Sequence, residues 1–224
     1  MDLGTAAHCA CLEPDRLGQC VLQIPREVLS ASGSRAGAAW KQYAAEHADK
    51  VLLKEDDYQA VLKIRDAVYA HPLAKLYLEA AGPVENAILW RDEASGLACR
   101  ARPDKLLADM PLVVDLKTGT ESGERWFTNR AIDHGYDIQA AHYSAGVELL
   151  RGECPVWAWI VVPTSPPYMP VRVFGMEHDR LEWASHKRRS ALTQIVDRRV
   201  SGDWSDTDEH ELKILSFPKW SYER

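Results

Sequence analysis

The stretch "PLVVDLKTG", residues 111–119, constrains the fold more than any other part of the chain. Successive side chains of a β-strand point to opposite faces. Leu112, Val114 and Leu116 therefore line one face, while Val113, Asp115 and Lys117 line the other. Apolar residues on both sides mark a strand buried inside a sheet. A carboxylate and an ammonium two positions apart in such a strand then need a reason, because charges are rarely buried unless they are paired or hold a ligand. An internal salt bridge is one reading; a functional centre at the strand's end is the other.

The surrounding pattern places this strand in an α/β fold. Apolar periodicity and helix-breaking residues predict helices over residues 5–13, 38–48, 55–70, 73–81, 131–150 and 177–200. Strands are predicted over 85–91, 97–104, 112–118, 156–162 and 171–174, the first two as a hairpin around "DEASG". Helices followed by three strands, a helix and two more strands give a mixed central β-sheet flanked by helices. The length of 224 residues suits one domain, with a helical part over 1–83, an α/β core over 84–200 and a tail over 201–224. Trp204, Phe217 and Trp220 are expected to pack that tail back on the core.

Hydrophobic residues make up 46% of the chain and charged residues 27%, which excludes a disordered or fibrous class. No apolar run reaches the roughly 20 residues of a membrane span, and the start shows no secretory pattern, so a cytoplasmic protein is expected. Cys9, Cys11, Cys20, Cys99 and Cys154 are odd in number and include no CxxC pair, which favours neither a disulfide framework nor a zinc ribbon. The net charge of -6 argues against a nonspecific nucleic-acid coat. It leaves open an enzyme acting on DNA, since a metal-dependent site gathers carboxylates that its cations offset.

The second predicted hairpin strand ends at Asp104, where its carboxylate can meet that of Asp115 across an antiparallel pair. Two carboxylates held together are costly unless a cation lies between them, and Mg²⁺ is the natural oxygen-seeking candidate, with Mn²⁺ as a substitute. Further along, Tyr136, Gln139 and Tyr143 in "GYDIQAAHY" share a helical face by their i, i+3, i+7 spacing; a core face with a buried glutamine is the alternative. Near the start, "GTAAH" presents Gly4 and His8, with His71 before Pro72 as a rival histidine.

Taken together, Pro103-Asp104, ten residues, then Asp115-Leu116-Lys117 resemble the signature of the PD-(D/E)XK nuclease superfamily. Gln139-x-x-x-Tyr143 and Gly4-x-x-x-His8 are similar to the QxxxY and GxxxH motifs of its RecB-type branch. The segments "LGTAAHCACLEPDR", "HPLAKLYLEAAGPVENAILWRDEASGLACRARPD", "DLKT", "GYDIQAAHY" and "LSFPKW" resemble the RecE-type, exodeoxyribonuclease VIII-like exonucleases of phages and prophages over nearly the whole chain.

The resemblance implies a restriction-endonuclease-like fold and a metal-dependent DNA exonuclease, digesting linear duplex ends 5′ to 3′ beside a single-strand annealing recombinase, and a homo-oligomeric ring. It also implies roles: Asp104 and Asp115 as metal ligands, His8 and the Leu116 backbone carbonyl completing the shell, Glu85 as an optional outer ligand, and Lys117 acting on the attacked phosphate. Gln139 and Tyr143 would lie beside that lysine. A basic rim for the DNA backbone is sought in Arg125 and Arg130, in the loop after the lysine strand, and in Lys187, Arg188, Arg189, Arg198 and Arg199 of the last helix. An endonuclease or repair nuclease on the same fold, and a catalytically silent DNA-binding module, are the alternatives.

Overall fold

The computed structural model describes residues 2–164 and 169–205, together with 212 and 214. In chain order the elements are α1 (Asp2–Leu12), α2 (Leu17–Cys20), β1 (Val21–Gln23), α3 (Ala38–Glu46), β2 (Val51–Leu53), α4 (Glu55–Ala70) and α5 (Pro72–Glu79). There follow β3 (Ile88–Arg91), β4 (Ala98–Ala101), β5 (Lys105–Leu106), β6 (Leu112–Gly119), α6 (Glu124–Asp133), α7 (Tyr136–Arg151), β7 (Val156–Pro163), β8 (Arg172–Gly175) and α8 (His178–Ser201).

The central sheet has the order β5-β6-β7-β8, with β6 and β7 parallel and both outer pairings antiparallel. A parallel pair needs a crossover, and α6 and α7 supply it. Both faces of β6 are buried as its sequence requires. Leu112, Val114 and Leu116 join Ile64 and Val68 of α4 and Ala7 and Cys11 of α1 in one cluster, while Val113 joins Phe127 of α6 and Ala140 and Val147 of α7 in another. The result is a mixed sheet between two helical layers.

The layer carrying α1 is built on small residues. Ala6, Ala7, Ala10 and Cys11 are fully buried, so α1 lies close against α4 on one flank and β6 on the other. α4 buries Val61, Ile64 and Val68, an i, i+3, i+7 stripe, and begins with Glu55, Asp56 and Asp57, whose charges suit the positive end of a helix dipole. His71 ends α4, and its Nδ1 caps α5 by accepting from the Ala74 N–H.

Three features depart from the sequence reading. Residues 1–83 also hold a two-stranded parallel sheet, β1 with β2, too short to signal itself. The hairpin forms with the register Ile88 to Ala101, but as a separate pair, and its second strand stops at Ala101 rather than Asp104. Most consequential, the helix predicted over 131–150 is two helices. Gly135 sits at φ +64, a left-handed conformation that costs glycine little and interrupts the run, so α6 starts at Glu124 and α7 restarts at Tyr136. Trp204 is 59% exposed, and Phe217 and Trp220 lie outside the described residues. Among the described residues no helix is long and apolar enough to cross a membrane.

Candidate active site

The site forms where a strand runs out. β5 is two residues long and pairs Lys105 with Val114, so the edge of β6 beyond Val114 has no strand partner on that side. Side chains fill the place. The Leu116 N–H donates to Asp104 Oδ2 at 2.7 Å, and the His8 ring comes up against the Leu116 backbone. Asp104 is thus the residue just before β5, held against β6 by a backbone hydrogen bond.

Glu85 arrives from the far side of β5. Its N–H donates to the Asp104 carbonyl at 3.0 Å, next to a bridge between Val84 and Lys105. It is not in a strand, as the sequence reading had it, but in a bend with φ +50, the one non-glycine residue with positive φ among those described. That conformation costs of the order of 1 kcal/mol and persists only where the surroundings impose it. It turns the carboxylate toward α1. His8 Nδ1 lies 3.4 Å from Asp104 Oδ2 and 4.0 Å from Glu85 Oε1, and ligand atoms of all three residues fall within 4.8 Å of one another.

Asp115 and Lys117 stand beside this cluster, on the α7 side of β6. Lys117 Nζ is 2.7 Å from Asp115 Oδ2 and donates to Gln139 Oε1 at 3.1 Å, while Gln139 Nε2 reaches Asp115 Oδ1 at 3.5 Å. Gln139 therefore ties both charged groups of β6 to α7. Tyr143 does not join them: it packs against Trp157 and His142 in the apolar layer. The reason is direction. α7 returns antiparallel to β6, so its first turns lie beside the end of the strand, and Tyr143, about 6 Å further along the axis, comes level with Val113 and its neighbour Trp157. The tyrosine that meets the site is Tyr136, whose ring centroid is 4.4 Å from Lys117 Nζ. Its i−3 position to Gln139 was the available signal. His71, the rival histidine, is engaged as the cap of α5.

The electrostatics fit a cation. Burial pushes the Asp104 carboxyl up to about 7 against the hydrogen bond from Leu116, and pushes Asp115 up to about 6 against the pull of Lys117. Burial lowers His8, and of the surrounding charges Asp115 acts most strongly to hold its proton. A neutral imidazole and two carboxylates that lack enough positive charge make a donor set for a divalent ion. A cavity of about 570 Å³ opens beside His8 and Glu85, lined also by Gly4, Thr5, Arg16 and Arg102. Arg102 Nε is 2.9 Å from Glu85 Oε2.

A pH dependence follows. Between the ordinary carboxyl value near 4 and the raised values of about 6 and 7, the folded protein holds more protons than the unfolded chain, so its stability falls as pH rises. His8 runs the other way below its usual 6.5, one group against two. In chelator the melting temperature is expected to drop between pH 4.5 and 7.5, and Mg²⁺ or Mn²⁺ is expected to restore it at pH 7.5 far more than at pH 5. A flat profile shared by wild type and the Asp104→Asn, Asp115→Asn double variant would contradict this.

The basic residues divide. Arg125 and Arg130 are exposed, and they sit on α6 rather than in a loop. The Trp126 ring of that helix lies over Gly119, where a Cβ would come within 2.2 Å of it, which brings α6 to the end of β6. Lys187, Arg189 and Arg199 are exposed on α8, and Arg198 donates to the Ser205 carbonyl.

Arg188 does not belong to a DNA rim. It is buried between α8, α7 and the hairpin, with Nη2 2.6 Å from Asp92 Oδ1 and Nε donating to His142 Nδ1 at 3.2 Å. Burial opposes the Asp92 charge, but hydrogen bonds from Ser95 and Arg188 outweigh it and hold that carboxyl below its ordinary value. Removing the guanidinium leaves a buried carboxylate unpaired, so Arg188→Met should cost about 3 kcal/mol, a drop of roughly 6 to 12 °C in melting temperature. The expected change is one of stability alone. A stable variant with weakened DNA binding would return Arg188 to the rim.

The profile of a PDDEXK-like domain of unknown function (DUF3799) matches residues 1–210. The chain belongs to this family. The PDDEXK-like domain is similar in structure to a crystallised protein described as "Putative exonuclease" from Eubacterium rectale, with a TM-score of 0.56 and 16% identity over 80% of this chain and 69% of that one. It is also similar to LHK-Exo, crystallised with dAMP, with a TM-score of 0.32 and 12% identity over 89% of this chain and 93% of the other. No curated protein matches the chain. The restriction-endonuclease-like fold expected from the sequence is therefore the fold of this PDDEXK-like domain.

Proposed function

We propose that the chain is a divalent-metal-dependent deoxyribonuclease, acting as an exonuclease on linear double-stranded DNA, 5′ to 3′, in phage-type recombination. One observation carries the chemistry: His8, Glu85 and Asp104 converge within 4.8 Å beside the Asp115–Lys117–Gln139 chain. The description of the Eubacterium rectale neighbour supports the exonuclease reading over other reactions of the fold. Direction and recombination rest on the RecE-type resemblance.

Asp104, Asp115 and His8 would hold the ion, with Glu85 and the Leu116 carbonyl as further donors. Mg²⁺ suits an oxygen-rich set, with Mn²⁺ as a functional substitute. When bound, such an ion makes water a nucleophile near neutral pH and stabilises the oxygens of the displacement. The remaining work falls to this chain's own residues. Lys117 presents an ammonium to the non-bridging oxygens of the attacked phosphate, where negative charge grows. Gln139 orients that ammonium, and the burial of Asp104 and Asp115 keeps their carboxylates in a low-dielectric setting. Arg125, Arg130, Lys187 and Arg189 offer exposed positive charge for the DNA backbone. A homo-oligomeric ring and transfer of the single-stranded product to an annealing recombinase complete the proposal.

Digestion of end-labelled linear duplex and of closed circular duplex, each with Mg²⁺ and with chelator, tests the reading. Loss of the 5′ label from linear DNA only, abolished by chelator, is expected. Cutting of the closed circle would replace exonuclease by endonuclease, and no cutting of either would leave only a DNA-binding module.

A further inference from the structure

We propose that Tyr136 is a positioning residue for Lys117, holding its ammonium by the face of the ring so that the charge stays available to the phosphate. The inference rests on the nuclease reading above. Among the described residues Lys117 Nζ meets Asp115 Oδ2 at 2.7 Å, Gln139 Oε1 at 3.1 Å and the Tyr136 ring at 4.4 Å. The carboxylate neutralises the ammonium, and it is also a candidate metal ligand. Whenever Asp115 serves a cation, its hold on Lys117 weakens. The amide oxygen and the aromatic face are neutral, so they fix the ammonium in place without cancelling its charge.

The ring is itself fixed. His134 stacks on Tyr136 with centroids 5.5 Å apart at 23°, and Phe127 lies 6.1 Å away at 32°. In an unbroken helix residues two apart do not face each other. The left-handed Gly135 between α6 and α7 is what allows His134 and Tyr136 to stack. The helix break thus has a role in the site, since it builds an aromatic bracket level with the end of β6. No hydrogen bond from the Tyr136 hydroxyl is present among the described residues, so the ring carries the interaction.

The test uses Tyr136→Leu, Tyr136→Phe and Lys117→Ala, alone and combined, in single-turnover cleavage of linear duplex, with Mn²⁺ affinity from calorimetry. Tyr136→Leu is expected to lower the cleavage rate roughly 3- to 30-fold with KM and Mn²⁺ affinity unchanged, the range of a cation–π contact. Tyr136→Phe should restore the rate to within about twofold of wild type, and Tyr136→Leu should have no further effect on Lys117→Ala. Equal damage by Phe and Leu, an unchanged rate in Tyr136→Leu, or additive losses in the double variant would each overturn the proposal. A second arm needs no activity. In protein carrying ¹³C-lysine, the Lys117 side-chain resonances, assigned by their loss in Lys117→Arg, should be shifted upfield by the ring and return to ordinary values in Tyr136→Leu. Wild type that does not cut would overturn the nuclease reading, while the presence or absence of this shift would still decide whether Tyr136 holds the amine.

Discussion

Replacing Lys117 by alanine is expected to lower phosphodiester cleavage by about 10²- to 10³-fold or more while DNA affinity stays within about twofold. The split follows from where the amine sits. Its side chain is only 17% exposed and lies against Asp115, Gln139 and Tyr136, whereas Arg125 and Arg130, proposed above to offer charge to the DNA backbone, lie on the outside of α6. On the proposed mechanism one largely covered ammonium adds little to affinity beside the phosphate contacts of an outer basic rim. It would add much to the rate, because charge develops beside it where little solvent screens it. The substitution also strips Asp115 of its counterion, so melting should be compared in the presence of Mn²⁺ to separate chemistry from stability. Cleavage and affinity can be measured on the same labelled duplex. Wild-type turnover by the variant, or a loss of affinity as large as the loss of rate, would remove Lys117 from the chemistry.

Neutralising Asp104 should move metal affinity and metal-free stability in opposite directions. In Asp104→Asn the side-chain oxygen can still accept from the Leu116 N–H, so the edge of β6 stays satisfied. What is lost is a charge that burial disfavours, pushing the carboxyl up to about 7. Near neutral pH in chelator the variant should therefore melt above wild type. Mn²⁺ affinity should fall by more than the 10- to 100-fold that even outer partners of a metal site cost, and cleavage should fall with it. Asp115→Asn should behave likewise but less cleanly, because it also releases Lys117 from its 2.7 Å ion pair. A residue that destabilises the free protein and strengthens ligand binding is there for function. Calorimetry with Mn²⁺ and thermal melts in chelator check both halves. Unchanged metal affinity, or a metal-free protein less stable than wild type, would reduce Asp104 to a structural hydrogen-bond acceptor.

The parts legible in the sequence were those governed by local periodicity. β6, α4, α8 and the hairpin follow from alternation, helical stripes and the "DEASG" turn, and Asp115, Lys117 and Gln139 pointed to one place because β6 and α7 each present them on one face. What local pattern could not supply was partnership over distance. Arg188 sits in a run of charges that looks like a solvated helix face, and nothing near it in the sequence signals that Asp92, 96 residues away, will bury it. Glu85 seemed to belong to a strand, because a left-handed bend at a glutamate has no sequence signal of its own. The helix predicted over 131–150 ran straight through Gly135, whose conformation splits α6 from α7 and brings Tyr136 rather than Tyr143 to Lys117. The misses at Glu85 and Gly135 lie at the site, where local preference yields to the geometry the site needs.

Crystals soaked in Mn²⁺ test whether a divalent ion is held between α1 and the edge of β6. An anomalous scattering peak is expected within about 2.5 Å of an Asp104 carboxylate oxygen and of the His8 ring, with Lys117 beside it and no comparable peak elsewhere. The same peak should vanish in crystals of Asp104→Asn. A peak away from His8 and Asp104, or none at a Mn²⁺ concentration that supports cleavage, would contradict it.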